Sequence, residues 1–112
     1  MGDLVDATLT GADLSHASLN GVKLTEAKLS KADFTGAHLD EADLSYAKLL
    51  RANLTDAILI SANLTHTNLS GCKGLTQDQL NDAVAHSTGP PTLTDAVDAK
   101  IGIPLVWHRN HA

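Results

Sequence analysis

Residues 12–16 read Ala-Asp-Leu-Ser-His, and closely related units occupy residues 32–36 (Ala-Asp-Phe-Thr-Gly), 42–46 (Ala-Asp-Leu-Ser-Tyr), 52–56 (Ala-Asn-Leu-Thr-Asp) and 62–66 (Ala-Asn-Leu-Thr-His). The same unit runs without a break from Leu4 to Leu69. Fourteen positions spaced by five hold Leu, except for Phe34, and eleven of the fourteen positions two residues earlier hold Ala. Such a strict period is typical of a repeat protein, in which small units stack on one another.

A period of five fits neither an α-helix nor an uninterrupted strand. In extended backbone, however, residues two apart point to the same side, so the Ala and Leu of one unit can share an interior. The next two residues are small or polar, which suits a turn. We therefore predict that each pentad forms one short extended side and one corner. Asp or Asn before the Leu is predicted to hydrogen-bond the backbone there.

These tandem A-(D/N)-L-x-x units resemble the signature of pentapeptide repeat proteins. The resemblance implies a right-handed quadrilateral β-helix with four pentads per coil. Fourteen pentads then make about three and a half coils, roughly 15–17 Å tall at about 4.8 Å per coil. The fold class that we expect is an all-β solenoid with a C-terminal α-helical cap, and the β-helix should occupy residues 1–73.

Residues 74–112 are predicted to form the cap and a tail. The register of five breaks at Gly74, and Thr76 and Gln79 then have capping-box spacing, which predicts a helix over 77–86. The Gly-Leu-Thr-x-x-Gln-Leu ending at residues 74–80 also resembles the C-terminal cap of many pentapeptide repeat proteins.

Beyond this helix, Thr94–Lys100 could form one short helical turn. The apolar run Ile101–Trp107 should pack back on the solenoid, over the outward side chains Ile58 and Ile60, and the last residues from His108 onward should be frayed. The first coil has no equivalent cover, so its strand edges are an association hazard, and we expect a monomer or a weak homodimer formed through this open end.

Composition supports one domain with a narrow core. The 112 residues carry a formal net charge of −5 and only 3% aromatic residues, so the interior must be built from Leu and Ala. The acidic balance disfavours nucleic-acid binding. Cys72 is the only cysteine, which excludes an internal disulfide, and we predict that it is a buried small apolar residue. No export signal and no membrane-spanning run is visible, so we expect a cytoplasmic protein without membrane contact.

No catalytic constellation stands out, and we expect neither an enzyme nor a cofactor site. His108 and His111 have the spacing of helical metal ligands, but two histidines in a tail are weak evidence, so no metal site is predicted either. Candidate partner-binding residues lie on the outward positions instead. If each coil holds four pentads, one face carries Lys28, Lys31, Lys48 and Arg51 on an otherwise acidic or neutral protein. This face suits an acidic partner, although a solvated charged surface is the competing interpretation. Ile58 and Ile60 are the second candidate site, with cover by the tail as the competing interpretation.

Two functions remain open at this point. The first is a non-enzymatic binding or scaffold protein whose partner is another protein of unknown identity. The alternative, implied by the family resemblance, is a DNA mimic that inhibits or protects DNA gyrase. Duplex DNA carries one charge per about 1.7 Å, or some nine over a rod of roughly 16 Å. Residues 1–71 hold nine acidic and five basic residues, a net charge of −4, which counts against the mimic.

Overall fold

The structure, a computed structural model, describes residues 3–86 and 88–108. Parallel pairing of residues twenty positions apart organises most of the chain, and twenty residues are four pentads. Each coil therefore has four sides, which we number by their paired columns: Asp3–Lys23–Asp43–Asn63 (side one), Thr8–Lys28–Lys48–Asn68 (side two), Asp13–Asp33–Asn53–Lys73 (side three) and Ser18–His38–Ile58 (side four). Among the described residues the pairing consists of isolated bridges, because corners follow one another every five residues.

The chain turns at the fifth residue of each pentad. All fourteen of these corner residues, from residue 6 to residue 71, have positive φ, between 53° and 71°. A hydrogen bond closes each corner, as from Ala32 N–H to the Leu29 carbonyl at 3.0 Å, and positive φ at the third residue is typical of a type II turn. Ten of the fourteen are not glycine. The left-handed conformation costs such residues about 1–2 kcal/mol each, and the hydrogen bonds between stacked coils hold them in it.

The core is a column of Leu and Ala side chains. Every residue at the Leu position from Leu24 to Leu69, including Phe34, is at most 2% exposed. Thr67 replaces Ala and is fully buried, and its hydroxyl donates to the Leu44 carbonyl at 2.7 Å. The inward orientation predicted from the period of five is therefore present in the structure. Burial of this apolar surface is the main favourable term in folding.

The single helix among the described residues, α1, spans Gln77–Asn81. The predicted capping box is present: Thr76 accepts a hydrogen bond from Gln79 N–H, and the Gln79 side chain accepts one from Thr76 N–H at 2.8 Å. The Gln79 amide also donates to the carbonyls of Leu54 and Ala57 on the upper edge of the solenoid. Leu80, on α1, is fully buried.

Helix α1 is shorter than the predicted 77–86. Val84, which fits the helical spacing, instead pairs with Asn63 on side one, and Leu64 N–H donates to the Val84 carbonyl at 2.7 Å. Pairing with the open edge of the coil below outweighs a helical preference that is weak for a β-branched residue. Thr92 pairs with Asn68 in the same way, so parallel pairing continues beyond residue 73.

The chain after Thr92 also differs from expectation. Residues 94–95 form a turn with Asp95 at φ 59°, like the corners of the repeats, and not a helical turn. The chain then reverses, and Val97 and Pro104 pair antiparallel. The Asp98 carboxylate organises this reversal: it accepts hydrogen bonds from Gln77 N–H at 2.7 Å, Lys100 N–H at 2.8 Å and Ile101 N–H at 3.2 Å. These bonds, Gln77 N–H first, lower the pKa of Asp98 below its ordinary value of 3.8.

The first coil is less well covered than the others. Leu4 is 36% exposed, and Leu9, Leu14 and Leu19 are only partly buried, although they occupy the same positions as fully buried residues above. The backbone N–H groups of Thr8, Asp13 and Ser18 have no backbone partner among the described residues, whereas their equivalents in the second coil donate downward, as Lys28 does to Ala7. This end therefore presents apolar side chains and open backbone groups.

Candidate functional site

The basic residues predicted to share a face do so. Lys28 and Lys48 pair directly on side two, and Lys31 N–H donates to the Leu50 carbonyl at 2.9 Å, one residue before Arg51. The four side chains, which we call the basic patch (Lys28, Lys31, Lys48 and Arg51), are all exposed. Their spacing along the chain explains this arrangement, because residues three apart lie on one side and residues twenty apart lie on adjacent coils.

The basic patch has no acidic partner within ion-pair distance in the part of the chain that the structure describes. Among the described residues, no Asp or Glu oxygen lies within 4.0 Å of a Lys or Arg nitrogen, and the one ion-pair contact joins His38 Nδ1 to Asp40 Oδ1 at 3.8 Å on side four. Like charges placed directly opposite each other on paired backbones repel and destabilise the pair. The basic patch thus opposes folding slightly, and an acidic ligand would relieve that repulsion.

The stacked acids on side three differ from the basic patch, since each has local hydrogen-bond partners. Asp13 accepts bonds from both the N–H and the hydroxyl of Ser15, and Asp33 accepts the same pair from Thr35. The Ser15 hydroxyl and then its N–H lower the pKa of Asp13. The predicted backbone role of Asp and Asn is thereby observed. These carboxylates hold the turns through hydrogen bonds. A lysine side chain cannot accept such bonds, so Lys28 and Lys48 do not stabilise their turns in this way.

Leu50 is a feature of the basic patch that the sequence analysis missed. It is 37% exposed and lies between Lys48 and Arg51 in the chain. The equivalent positions on side two in the other coils are polar: Thr10, Ser30, Ser70 and Thr94. Comparing residues twenty apart would have identified Leu50 as the apolar exception.

Arg51 has a defined direction. A Cβ placed on Gly71, on the coil above, would lie 3.4 Å from Arg51 Cγ. The aliphatic stem of Arg51 therefore lies close against the Gly71 backbone, an arrangement that a long side chain on a corner often adopts.

Ile58 and Ile60 lie on side four, two pentads away along the coil from the basic patch. The structure therefore does not bring the two candidate sites together. Ile58 is half-buried and Ile60 is 52% exposed. They line a shallow groove together with residues of the adjacent corner, of α1 and of the tail: Asp56, Ala57, Thr76, Gln79, Asp82 and Lys100.

The tail does not cover these isoleucines as predicted. Ile101 and Ile103 are themselves 66% and 56% exposed. The reversal at Asp98 is the reason, because Leu105 N–H then donates to the Ala96 carbonyl at 3.0 Å and Leu105 is buried. Trp107 packs against the core cluster while remaining partly exposed. The tail thus folds back on the solenoid, but through Leu105 and Trp107.

A second arrangement that the sequence analysis missed lies on side one. The rings of Tyr46 and His66, twenty residues apart, stack with centroids 4.8 Å apart. His66 also lies close below Gly89, where a Cβ would come within 2.7 Å of its ring. A cavity of about 400 Å³ opens beside the stack, lined by Ser45, Tyr46, Asn63, Thr65, His66, His86 and Thr88. His86 Nδ1 accepts a bond from Thr88 N–H at 3.2 Å, so the imidazole supports the surrounding loop.

The remaining candidates have structural explanations. Cys72 is 4% exposed at an Ala position, and burial raises the pKa of its thiol to about 11. A thiol with so high a pKa is a poor nucleophile at neutral pH. Among residues 3–86 and 88–108, no group of three His, Cys, Asp or Glu side chains could hold a metal ion. His111 and the rest of the predicted frayed end, residues 109–112, lie outside the described residues.

The five-residue units, their four-sided coils and the Leu core define a β-helical solenoid. The chain belongs to the pentapeptide repeat family: the family model, described as pentapeptide repeats (8 copies), matches residues 3–40 and again residues 37–73. Among the curated proteins compared, none matches the chain significantly.

Solved structures of pentapeptide repeat proteins also resemble the chain. One, from the cyanobacterium Cyanothece 51142, is 28% identical with a TM-score of 0.57, over 93% of this chain and 64% of that one. Another, from the Arabidopsis thaliana thylakoid lumen, is 25% identical with a TM-score of 0.32, over 86% of this chain and 62% of that one. The chain thus spans less than two thirds of the length of each.

Among the described residues, no helix is both long enough and apolar enough to cross a bilayer.

Proposed function

We propose that the chain is a non-enzymatic protein-binding module that presents the basic patch to an acidic protein partner. The observation that carries the proposal is the basic patch itself: four exposed cations on two adjacent coils, without an acidic neighbour in salt-bridge distance among the described residues, on a chain of net charge −5. Charge complementarity of this kind accelerates encounter and selects partners.

The solenoid suits such a role. Right-handed coils of four pentads, closed at the upper end by α1 and the tail, would form a rigid scaffold whose outward positions can vary without disturbing the Leu core. A side chain on this scaffold starts from a fixed backbone position, because Lys28 N–H donates to Ala7 and Lys48 N–H donates to Ala27, at 2.8 and 3.0 Å. Preorganised groups bind with a smaller loss of entropy.

The DNA-mimic alternative gains no support from the basic patch. A surface that binds DNA is itself basic, so it would repel the side of the solenoid that carries four cations. The net charge of the repeats is also well below that of duplex DNA of the same length.

Two double variants with equal changes in net charge test the proposal. Lys28→Glu with Lys48→Glu reverses the centre of side two, and Lys23→Glu with Lys73→Glu reverses one lysine each on sides one and three. Each form is immobilised, and proteins captured from the native source at about 150 mM salt are quantified after nuclease treatment. We expect partners that the wild type and the Lys23/Lys73 variant retain and the Lys28/Lys48 variant loses. Equal capture by all three forms would exclude the basic patch as the binding site.

A further inference from the structure

The exposed Leu50 lies inside the basic patch, and the local hydrogen bonding explains why the fold accepts an apolar residue there. In the pentad above, the Ser70 hydroxyl donates to the Asn68 side chain at 2.6 Å. Lys48 occupies the position equivalent to Asn68 and offers no acceptor, so a hydroxyl at residue 50 would lack this bond. With Lys48 in place, Leu50 therefore removes no further hydrogen bond from the turn, and its side chain is 37% exposed.

The residues around Leu50 indicate the chemistry of a ligand that could bind there. Lys48 and Arg51 flank it in its own pentad, and Lys31 N–H donates to its carbonyl from the coil below. A single exposed leucine is ordinary on a protein surface. A leucine surrounded by unpaired cations is different from an isolated one. A ligand can contact the leucine with an apolar group at the centre and pair its charges with the cations at the rim, as protein interfaces commonly do.

We propose that the basic patch and Leu50 together form a docking site for an extended acidic segment of a partner protein that carries one apolar residue among its carboxylates. The proposal rests on the proposed function above and names the chemistry of the partner. The apolar residue of the segment contacts Leu50, and carboxylates on both sides of it pair with the cations of the two coils. Arg51, whose stem lies beside Gly71, offers a planar guanidinium suited to paired hydrogen bonds with a carboxylate.

The extent of the basic patch favours a protein segment over a nucleic acid. The patch ends at uncharged Thr8 below and Asn68 above, and Asp95 occupies a corner on the uppermost coil of the same side. Nucleic-acid affinity depends on many phosphate contacts along a continuous basic path, and the patch offers four cations. Stacking of bases would require aromatic side chains, and the outward positions of side two carry none.

The test uses the full chain and a fluorescein-labelled peptide, Glu-Asp-Asp-Leu-Asp-Asp-Glu. The peptide sequence is the same read from either end, so acidic residues flank the leucine in the same way whichever direction the peptide binds in. Binding is measured by fluorescence anisotropy at about 50 and 150 mM salt. The second peptide replaces its leucine with serine, and the third ligand is a single-stranded oligothymidylate of similar charge. The protein forms are the wild type, Leu50→Ser, the Lys28/Lys48 variant and the Lys23/Lys73 variant. Circular dichroism checks that each is folded, which we expect because all the changed side chains are exposed.

We expect the leucine peptide to bind the wild type with a salt-sensitive affinity. Leu50→Ser, or the serine peptide, should weaken binding about tenfold, and the two changes together should add little more, because they remove the same contact. The Lys28/Lys48 variant should lose binding and the Lys23/Lys73 variant should keep it.

Three outcomes would overturn the proposal. If Leu50→Ser binds the leucine peptide as tightly as the wild type does, the apolar contact is wrong, although charge-based docking and the proposed function stand. If the oligothymidylate binds more tightly than the peptide, the ligand class is wrong. If neither the peptide nor its serine form binds at millimolar concentration, the proposed segment chemistry is wrong, while the capture experiment still decides the proposed function independently.

Discussion

Replacing Leu39 with alanine tests the core that the period of five builds. Leu39 is fully buried, and the residues at its position on the coils below and above are Leu19 and Leu59. The change removes three carbons, worth about 2.4 kcal/mol at about 0.8 kcal/mol for each buried methylene. It also leaves a cavity. Pairing of His38 with Ser18 and with Ile58 holds the neighbouring coils in place, so the cavity cannot readily collapse. We therefore expect a loss of about 3–5 kcal/mol in the free energy of unfolding.

The same substitution at Leu19 is a matched control. Leu19 lies in the same column but on the first coil, where it is only partly buried. Part of its side chain already contacts water and no closed cavity forms, so we expect a loss of about 1–2 kcal/mol. Urea unfolding followed by far-ultraviolet circular dichroism measures both. With a slope of about 2 kcal/mol per molar urea, the midpoint should fall by about 1.5–2.5 M for Leu39→Ala and by about 0.5–1 M for Leu19→Ala. An equal or larger fall for Leu19→Ala would refute the burial gradient from the first coil to the second.

Three further predictions concern the upper end of the solenoid. Because the pKa of Asp98 is lowered in the folded chain, its carboxylate should stabilise the fold fully above about pH 4 and lose this effect as the pH falls further. Asp98→Asn should therefore lower the urea midpoint at pH 7, and the midpoint of this variant should fall less between pH 4 and pH 3 than that of the wild type. An equal fall in both forms would mean that other carboxylates cause the acid sensitivity. The Cys72 thiol, buried with a pKa of about 11, should react with a disulfide reagent at pH 8 far more slowly in the folded chain than in urea, and similar rates would contradict its burial. Trp107 should emit at shorter wavelength in the folded chain than in urea, and Ile60→Asp should leave that emission unchanged, whereas a red shift would indicate that the tail covers side four after all.

The sequence predicts the repeats well, for a physical reason. From the second coil upward the Ala and Leu positions of each pentad are buried, and the fixed spacing repeats the same local structure. Burial of residues such as Leu44 and the corner at Tyr46 therefore follow from one unit. Stacking supplies the hydrogen bonds that no single unit could make. Adjacent units thus support one another. The period, combined with the four pentads per coil that the family resemblance implies, indicates which residues share a column, and the pairing of residues twenty apart agrees.

The region after Gly74 is harder to predict because tertiary pairing competes with local preference there. The capping box at Thr76 is a local signal, and it is present. The C-terminal end of α1 is determined by the unpaired backbone edge at Asn63, because Val84 pairs with that edge. The local sequence of the helix contains no signal for this tertiary pairing. The tail differs from the prediction for a similar reason. The three N–H groups that bind the Asp98 carboxylate determine the reversal of the chain, and one of them belongs to Gln77, twenty-one residues earlier.

The candidate site follows from the register, because outward side chains contribute little to the core and the fold constrains them weakly. Positions 28, 31, 48 and 51 are separated by three and by twenty residues, so any solenoid with four pentads per coil places them together. The register does not determine which residue types occupy these outward positions. Positions where the residue type departs from that of the other pentads therefore indicate function best. A lysine where other pentads have Asp or Asn gives up the bond that holds the turn, and a leucine where others have a hydroxyl gives up its donor. On side two these exceptions coincide in one pentad, at Lys48 and Leu50, so the chain loses turn hydrogen bonds at the place where its outward surface combines apolar area with uncompensated positive charge.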